Sequence, residues 1–373
     1  MIRKHHVSAM GGEIDEQSRT KYLSSHPVAW VLFCVLCSRS LAAAPDPIQY
    51  NTPTGRQAIT AMLQNFHDHG YNQRVGGLYI NWDAFGANYY GSGRPDIGAI
   101  RRHDPLTDLR YLANLWRYRR ACSSHRWDAD IRRFTPIVYH EYAGHVDARG
   151  WVYTVLAAIA HNSGDMRFQA VADRYPALYA RGYLKPARVD YDFEEAAVLV
   201  QSANTRYVTL GRQRLNKLFR RYYNPSRHLV LFGNELKTSQ EGDIIVALAR
   251  AGRTAQARKL LAGLQVLWDP VYGGFAEGAT LNPWRIKNKK TGGRQANILI
   301  AARLLHDNRL IDIMRNLILR KAYLPAYQGV VYEQTPNWRL YRIHGRKEDW
   351  VTSEAMGITI HALLLTLRQP RPH

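Results

Sequence analysis

Apolar residues recur at helical spacing in block after block along the chain. In "EGDIIVALAR" (241–250) and "GRQANILIAARLL" (293–305), for example, apolar side chains return every three or four positions. That spacing gathers them on one face of an α-helix. Strand-like sequence is confined to short pieces between the blocks, such as "GVVYE" (329–333). The pattern therefore predicts an all-α protein.

The helical blocks come in pairs. Basic helices, the first over 55–68, alternate with helices that are poor in charge and are predicted to start near residues 106, 150, 193, 241, 294 and 353. The first basic helix has no preceding partner and the last charge-poor helix has no following one, so the two complete each other if the chain closes into a ring. We therefore expect an (α/α)6 toroid, six helical hairpins with the charge-poor helices inside.

The connections differ in length in a regular way. Those from an inner to an outer helix are short, as in "AGRT" and "HDNR", whereas those that return are long and cover about 69–105, 139–148, 182–192, 223–240, 268–292 and 321–352. In an alternating ring all returning connections lie on one face, over the N-termini of the inner helices. Long loops commonly carry function. The site is expected on that face.

The N-terminus has the layout of a secretory signal peptide. Residues 28–37, "VAWVLFCVLC", form an apolar run that is followed by the cleavage-type sequence Ala42-Ala43-Ala44. The run is too short to span a bilayer, which takes about 20 residues. We expect a signal peptide over 1–44, a single toroidal domain over 45–373, and a secreted or periplasmic protein. Contact with a membrane is expected only if the signal segment stays uncleaved.

Charge and cysteine content narrow the possible partners and cofactors. The formal net charge is +21, and the basic residues are spread along the helices, as on a solvated cationic surface or around a groove for an anionic substrate. No nucleic-acid recognition motif is present, so a polysaccharide is the expected partner and nucleic acid is not. Only Cys122 lies outside the predicted signal peptide, which excludes an internal disulfide and a cysteine zinc site there. No cofactor or metal is expected, and the protein is predicted to be a monomer.

Four segments carry a family resemblance. They are "WDPVYGGFAEG" (268–278), "GYNQRVGGLYINWD" (70–83), "YQGVVYEQTPNW" (327–338) and the terminal "WVTSEAMGI". Over about 50–368 the chain resembles the six-hairpin glycosidase superfamily, which contains glycoside hydrolases, some polysaccharide lyases and sugar epimerases. The resemblance implies a carbohydrate-binding funnel on the long-loop face and, for a hydrolase, usually an inverting mechanism. It transfers no named catalytic residue.

Carboxylates on the long loops are the candidates for chemistry. Glycoside hydrolysis needs one protonated and one ionised carboxyl, about 6.5–9.5 Å apart in inverting enzymes. The predicted catalytic set is Asp83, Glu235, Glu277 and Glu333.

Acids at the starts of the inner helices are interpreted differently. Helix N-termini favour negative charge, so a structural role is expected for Glu194, Glu195, Glu241, Asp243 and Glu354, with Glu241 and Glu354 the better candidates for chemistry among them. Asp269, before a proline and a glycine pair, is expected to form an Asx-type turn.

Aromatic and basic side chains in the same connections are the candidates for substrate binding. Aromatic faces suit stacking on sugar rings, and arginine forks suit carboxylates. The predicted binding residues are Trp82, Tyr142, His145, Trp268, Tyr272, Trp284, Arg294, Trp338 and Trp350. Trp151 and Tyr191 belong to the same aromatic enrichment.

The leading functional prediction is an exported glycoside hydrolase that cleaves a polysaccharide, most consistent with an anionic one. A polysaccharide lyase is the first alternative, because "VYHEYAGH" (138–145) places Tyr142, His140 and His145 on one predicted loop, where they could serve as acid and base in β-elimination. A non-catalytic glycan-binding toroid is the second alternative.

Overall fold

Helices dominate the structure, as the hydrophobic pattern predicts. The computed structural model describes residues 53–72, 76–79, 81–83, 104–147, 149–182, 188–331, 333–340, 342–343, 346–347 and 350–367. The predicted signal peptide over 1–44 lies outside these residues. Among them no helix is both long and apolar enough to cross a bilayer.

The described part of the chain contains thirteen α-helices. They are α1 (Gly55–Asn65), α2 (Pro105–Cys122), α3 (Asp128–Gly144), α4 (Gly150–Ser163), α5 (Met166–Ala172), α6 (Arg174–Ala180), α7 (Val189–Val200), α8 (Thr205–Tyr222), α9 (Thr238–Arg250), α10 (Thr254–Leu264), α11 (Gly292–Leu304), α12 (Asn308–Leu317) and α13 (Ser353–Leu364). Short π-helical turns follow α1 and α12.

Six of these helices form a closed inner ring. Helices α2, α4, α7, α9, α11 and α13 each pack against the next, and α13 returns to pack against α2. At this closure the Asn114 side chain donates a hydrogen bond to the carbonyl of Gly357 at 2.8 Å. The remaining helices pack outside the ring, with α5 and α6 together forming one outer layer element. The (α/α)6 toroid is therefore confirmed.

Polar residues set several of the helix starts. The Thr54 hydroxyl accepts from the Gln57 backbone while the Gln57 side chain accepts from Thr54, which makes a capping box at α1. Asp104 and Thr352 cap the inner helices α2 and α13 in the same side-chain-to-backbone manner. These caps satisfy N–H groups that have no partner inside the helix.

Two predicted boundaries differ from the structure. Helix α7 begins at Val189, so Glu194 and Glu195 lie in its second turn and not in its first. Helix α3 continues to Gly144, because Val138 and Tyr142, one turn apart, both bury their side chains. The return from α3 to α4 is therefore short, and the expected long loop over 139–148 is wrong.

The strands found among the described residues all lie in the returning connections. They are β1 (Tyr71–Asn72), β2 (Gly77–Leu78), β3 (Asn81–Asp83), β4 (Tyr223–Asn224), β5 (Leu229–Val230), β6 (Glu235–Lys237), β7 (Gly278–Leu281), β8 (Trp284–Lys287), β9 (Tyr323–Leu324), β10 (Gly329–Val330), β11 (Arg342–Ile343), β12 (Arg346–Lys347) and β13 (Trp350–Thr352). Strands β6, β7 and β8 form an antiparallel sheet, and β3 pairs with β13 so that Asp83 lies opposite Trp350. Short antiparallel strand pairs therefore build the long-loop face. The sequence pattern predicts a strand only in the region of β10.

Candidate active site

A cavity of about 350 Å³ lies inside the ring and is lined by all six inner helices. Its wall is rich in ionisable groups. The acids are Glu194, Asp243 and Glu354, the cations are Arg110, Arg117, Arg188, Lys237, Arg250 and Arg294, and the one imidazole is His361. Four of the cations, Arg110, Arg188, Lys237 and Arg294, each lie within ion-pair distance of a carboxylate. Arg117 and Arg250 have no such partner among the described residues, and these two groups favour a ligand with negative charge.

Glu194 is held in the cavity wall by the neighbouring inner helix. Its Oε2 accepts a hydrogen bond from the Trp151 backbone N–H, in the first turn of α4, at 3.2 Å. Burial, followed by the charge of Asp190, raises the pKa of Glu194 to about 8, although the Trp151 N–H, Arg250 and Arg188 all favour the ionised form. A carboxyl with this pKa can gain or lose a proton near neutral pH.

Asp243, on the adjacent helix α9, is the second wall carboxyl. Its Oδ1 accepts a hydrogen bond from the side-chain amide of Asn297 at 3.0 Å. Burial raises the pKa of Asp243 well above its usual range, and the charge of Glu194 contributes next. Since the charge of Glu194 disfavours ionisation of Asp243, Asp243 keeps its proton and the two carboxyls can take different roles.

Aromatic rings and guanidinium groups line the same cavity near the N-termini of the inner helices. The guanidinium carbon of Arg110 lies 3.9 Å from the ring centre of Trp151, and that of Arg188 lies 4.6 Å from the ring centre of Tyr191. Arg188 also pairs with the fully buried Asp190, which fixes its position. Such cation–π contacts hold the aromatic faces in place. The arrangement can stack and orient a sugar ring.

The C-terminal halves of the inner helices contribute three basic side chains to the cavity lining. Arg117 comes from α2, Arg250 is the last residue of α9, and His361 lies in the last turn of α13. Burial and the charges of Arg117 and Arg250 lower the pKa of His361 well below its usual range. His361 is therefore a neutral imidazole at physiological pH.

The described catalytic candidates from the sequence lie outside the cavity lining and are all ion-paired. Glu235, on β6, accepts from Lys287 Nζ at 2.6 Å, and this bond lowers its pKa. Glu333 accepts from Lys289 Nζ at 2.8 Å. For Asp83 the structure describes only the backbone, in β3.

Two of these candidates pair with residues of the cavity wall: Glu235 Oε2 lies 3.6 Å from Nζ of Lys237, and Glu277 pairs with Arg294. The Glu277 Oε1 lies 3.0 Å from Nη1 of Arg294, a cavity-lining residue. The structure therefore brings one predicted catalytic residue together with one predicted binding residue, at the edge of the site. No other pair from the predicted sets meets in this way among the described side chains.

The predicted binding residues are divided between the cavity and the loops. Arg294 lines the cavity, and so do Trp151 and Tyr191 from the wider aromatic set. Trp268, Tyr272, Trp284 and Trp338 lie on the returning connections outside its lining, with Trp338 buried and Tyr272 exposed. The backbone alone is described for Trp82 and Trp350.

The proposed lyase group is not brought together. Because α3 is continuous through 128–144, His140 lies on its exposed side while Tyr142 is buried, and His145 is exposed beyond the helix end. Burial raises the pKa of Tyr142 far above its usual value. The expected grouping on one loop is therefore wrong, and a buried phenol with this pKa is a poor base.

The turn at 269–274 serves the fold, as predicted from its Asx-type sequence. The Asp269 carboxylate accepts from the backbone N–H groups of Val271 and Tyr272 at 2.9 and 3.0 Å. Its other oxygen pairs at 3.1 Å with Lys290, which is fully buried and also donates to the carbonyl of Gly274 at 3.0 Å. The loop is anchored by a buried ion pair.

The wall residues were missed for an identifiable reason. Glu194 and Asp243 are interpreted from the sequence as acids at helix starts. Arg117, Arg250 and His361 lie on helices, whereas the candidates were expected on the long loops. A signal does exist, because polar residues return at helical spacing on otherwise apolar inner helices: Arg110, Asn114 and Arg117 on α2, and Asp243 and Arg250 on α9. A polar stripe on a helix whose other faces are buried indicates an internal cavity.

Solved structures share this fold at low sequence identity. A sugar epimerase from a ruminal bacterium matches with a TM-score of 0.59 at 10% identity, over 83% of this chain and 98% of its own. A D-mannose isomerase gives 0.59 at 10% identity, over 83% and 96%. An unsaturated glucuronyl hydrolase specific for heparin gives 0.55 at 12% identity, over 84% and 95%. The chain thus has the fold of the six-hairpin glycosidase superfamily, as its loop motifs suggest.

At the level of sequence the chain stands apart. No protein-family model matches it, and no curated protein matches it. Within the described part of the chain, no group of three His, Cys, Asp or Glu side chains is arranged to hold a metal ion.

Proposed function

We propose that the protein is a carbohydrate-active enzyme, a glycoside hydrolase that acts on an anionic saccharide in the ring cavity. The observation that carries the proposal is the pair of wall carboxyls, Glu194 and Asp243, on adjacent inner helices with raised pKa values. Two cavity-lining guanidinium groups without a carboxylate at ion-pair distance among the described residues, Arg117 and Arg250, support an anionic substrate. The fold, shared with an unsaturated glucuronyl hydrolase specific for heparin, is consistent with this substrate class.

In this mechanism the two carboxyls divide the work of general acid and general base. Asp243, with its pKa raised further, holds the proton and donates it to the glycosidic oxygen. Glu194, whose ionised form is favoured by the Trp151 N–H and Arg250, takes a proton from the attacking water. Trp151 and Tyr191 would hold the sugar ring while Arg188 fixes Tyr191.

The test is hydrolysis of a panel of uronate-containing and neutral oligosaccharides, measured as the release of reducing ends. We expect Glu194→Gln and Asp243→Asn each to lower kcat/KM by about 10²–10⁴-fold. The matched variants Glu235→Gln, Glu277→Gln, Glu333→Gln and Asp83→Asn test the loop candidates in the same assay. Full activity in Glu194→Gln together with loss in one of these four would transfer the catalytic role to the loops.

A sugar epimerase or isomerase is the second candidate, and His361 favours it. A neutral imidazole in the cavity can remove a proton from a carbon next to a carbonyl. The fold is also shared with a sugar epimerase and a D-mannose isomerase. Incorporation of solvent deuterium into a sugar without new reducing ends would support this reaction and overturn the hydrolase.

A further inference from the structure

Three basic side chains from three inner helices line the cavity. They are Arg117 of α2, Arg250 of α9 and His361 of α13, which we call the basic floor. Burial and the charges of Arg117 and Arg250 lower the pKa of His361, and burial and the charge of Arg250 bring the pKa of Arg117 to about 10.

The charge of the basic floor has no carboxylate to balance it at ion-pair distance among the described residues. Arg117 Nη1 donates to the neutral Asn114 side chain at 3.2 Å, and Arg250 Nη1 lies 3.5 Å from the Thr154 hydroxyl. The charges of Glu194 and Asp243 raise the pKa of Arg250, but no acid among the described residues has this effect on Arg117. Each guanidinium has five N–H donors, so most of them remain available to a ligand.

We propose that Arg117 and Arg250 form a receptor for an oxyanion on the terminal sugar of the substrate, a uronate carboxylate or a sulfate ester. The inference rests on the proposed function and names its substrate class. Paired guanidinium forks match the planar oxygens of such groups and recognise them through charge-assisted hydrogen bonds. A bound oxyanion also removes the repulsion between two buried like charges.

The receptor lies in the same cavity as the carboxyl pair. Asp243 and Arg250 lie on the same helix, two turns apart, and the Arg250 side chain extends to Thr154 in the second turn of α4. The sugar that carries the oxyanion is therefore held in the cavity that Glu194 and Asp243 line.

Calorimetric titration tests the receptor without turnover. The probes are D-glucuronate, glucose 6-sulfate, neutral D-glucose and inorganic sulfate. We expect wild-type protein to bind one of the two anionic sugars at least tenfold more tightly than glucose, and more tightly than sulfate alone. The first two probes distinguish a carboxylate from a sulfate ester. Equal binding of glucose and both anionic sugars overturns the proposal, as does sulfate that binds as tightly as either sugar.

Substitutions show which residues cause the preference for anionic sugars over glucose. Arg117→Met and Arg250→Met are each expected to remove this preference. Arg117→Lys keeps the positive charge but lacks the planar guanidinium, so it should retain only part of the preference. The matched control is Arg120→Met, because Arg120 is exposed and outside the cavity lining, with Nη1 2.6 Å from His161 Nε2. A preference that survives both methionine variants overturns the proposal.

Thermal unfolding supplies a readout that does not depend on any saccharide. Because Arg117 is a charge without a carboxylate partner, Arg117→Met should raise the Tm of the ligand-free protein, whereas Arg120→Met should leave it unchanged. A lower Tm in Arg117→Met would show that Arg117 supports the fold, and the receptor role would be lost.

The binding and turnover assays separate the two proposals. If Glu194→Gln abolishes hydrolysis and keeps the anionic preference, both stand. If no saccharide is hydrolysed and the preference for anionic sugars is present, the receptor proposal is supported and the hydrolase proposal is contradicted. Hydrolysis of neutral and anionic saccharides with equal kcat/KM supports the hydrolase proposal and contradicts the receptor proposal.

Discussion

At the scale of single residues, Glu194 illustrates how a buried carboxyl is kept reactive. One N–H group and two guanidiniums favour its charge, while burial and the neighbouring acids oppose it. The balance leaves its pKa near neutrality and not at the ordinary value of a glutamate. Its ionisation therefore depends on a side chain outside the cavity lining, that of Asp190, as well as on groups within it.

The first prediction concerns the pH profile. Glu194 acts as base only when it is ionised, so kcat/KM should rise with pH through an inflection near 8. Asp190→Asn removes a negative charge that raises the pKa of Glu194 and frees Arg188, so the inflection should move to lower pH. An inflection near the ordinary glutamate value that stays in place in this variant would contradict the assignment.

The second prediction concerns the buried lysine beneath the 269–274 turn. Lys290→Met leaves Asp269 without its cationic partner and Gly274 without its donor, and should lower the free energy of unfolding by about 2–4 kcal/mol. The control is Lys289→Met, next in the chain, whose partly exposed pair with Glu333 should cost no more than about 1 kcal/mol. Urea unfolding measures both, and equal losses would show that burial of Lys290 has no special effect.

At the scale of elements, close approach between inner and outer helices sets the tolerance to small changes. Gly211 of α8 lies against α7, where an added Cβ would meet the Ala196 carbonyl oxygen at 2.7 Å. Gly144, at the end of α3, has open space around the same position. Two helical glycines, one inside α8 and one at the end of α3, thus differ in the space around them.

The third prediction follows from this pair. Gly211→Ala should destabilise the protein by about 1–3 kcal/mol because the hairpin must open to admit the methyl group. Gly144→Ala should be neutral or stabilise it by up to about 1 kcal/mol, since alanine favours the helix. Opposite signs of the change in Tm check the prediction, and a loss of equal size in both would refute the packing argument.

The element scale is also where the sequence was most informative. Apolar periodicity and the alternation of short and long connections were sufficient for the ring, because twelve similar amphipathic blocks have few ways to bury their faces together. The site was harder, because two wall carboxyls on helices look like ordinary helix-start acids in the sequence. Only the ring geometry turns Glu194 and Asp243 toward the same cavity and lets burial shift both pKa values.

At the scale of the whole molecule, buried acids make stability depend on pH. Outside the cavity, burial raises the pKa values of Glu195 and Glu241 to about 8. Groups whose pKa is raised in the folded state bind more protons there than in the unfolded chain, so they lose their stabilising contribution as pH rises toward the folded value. The neutral His361 has the opposite effect, but only below its ordinary pKa.

The fourth prediction is therefore a fall in stability between pH 7 and 8, above the range where His361 contributes. The expected loss is on the order of 1–3 kcal/mol in total. Glu241→Gln, whose Oε1 can still accept the Val230 N–H, should make the decline shallower. Thermal unfolding across this range measures it, and a Tm that is flat or rises with pH would show that these carboxyls are ionised in the folded protein.

The closure of the ring has a consequence for how the chain could be rearranged. Helix α13 packs against both α1 and α2, and an added Cβ at Gly55 would lie only 3.6 Å from Leu367. Residues at the two ends of the described toroid are thus neighbours in space. A short linker joining them, with a new opening at the exposed Gly252 in the turn between α9 and α10, should give a circular permutant that keeps the cavity. The packing between adjacent inner helices stays the same wherever an outer turn is cut.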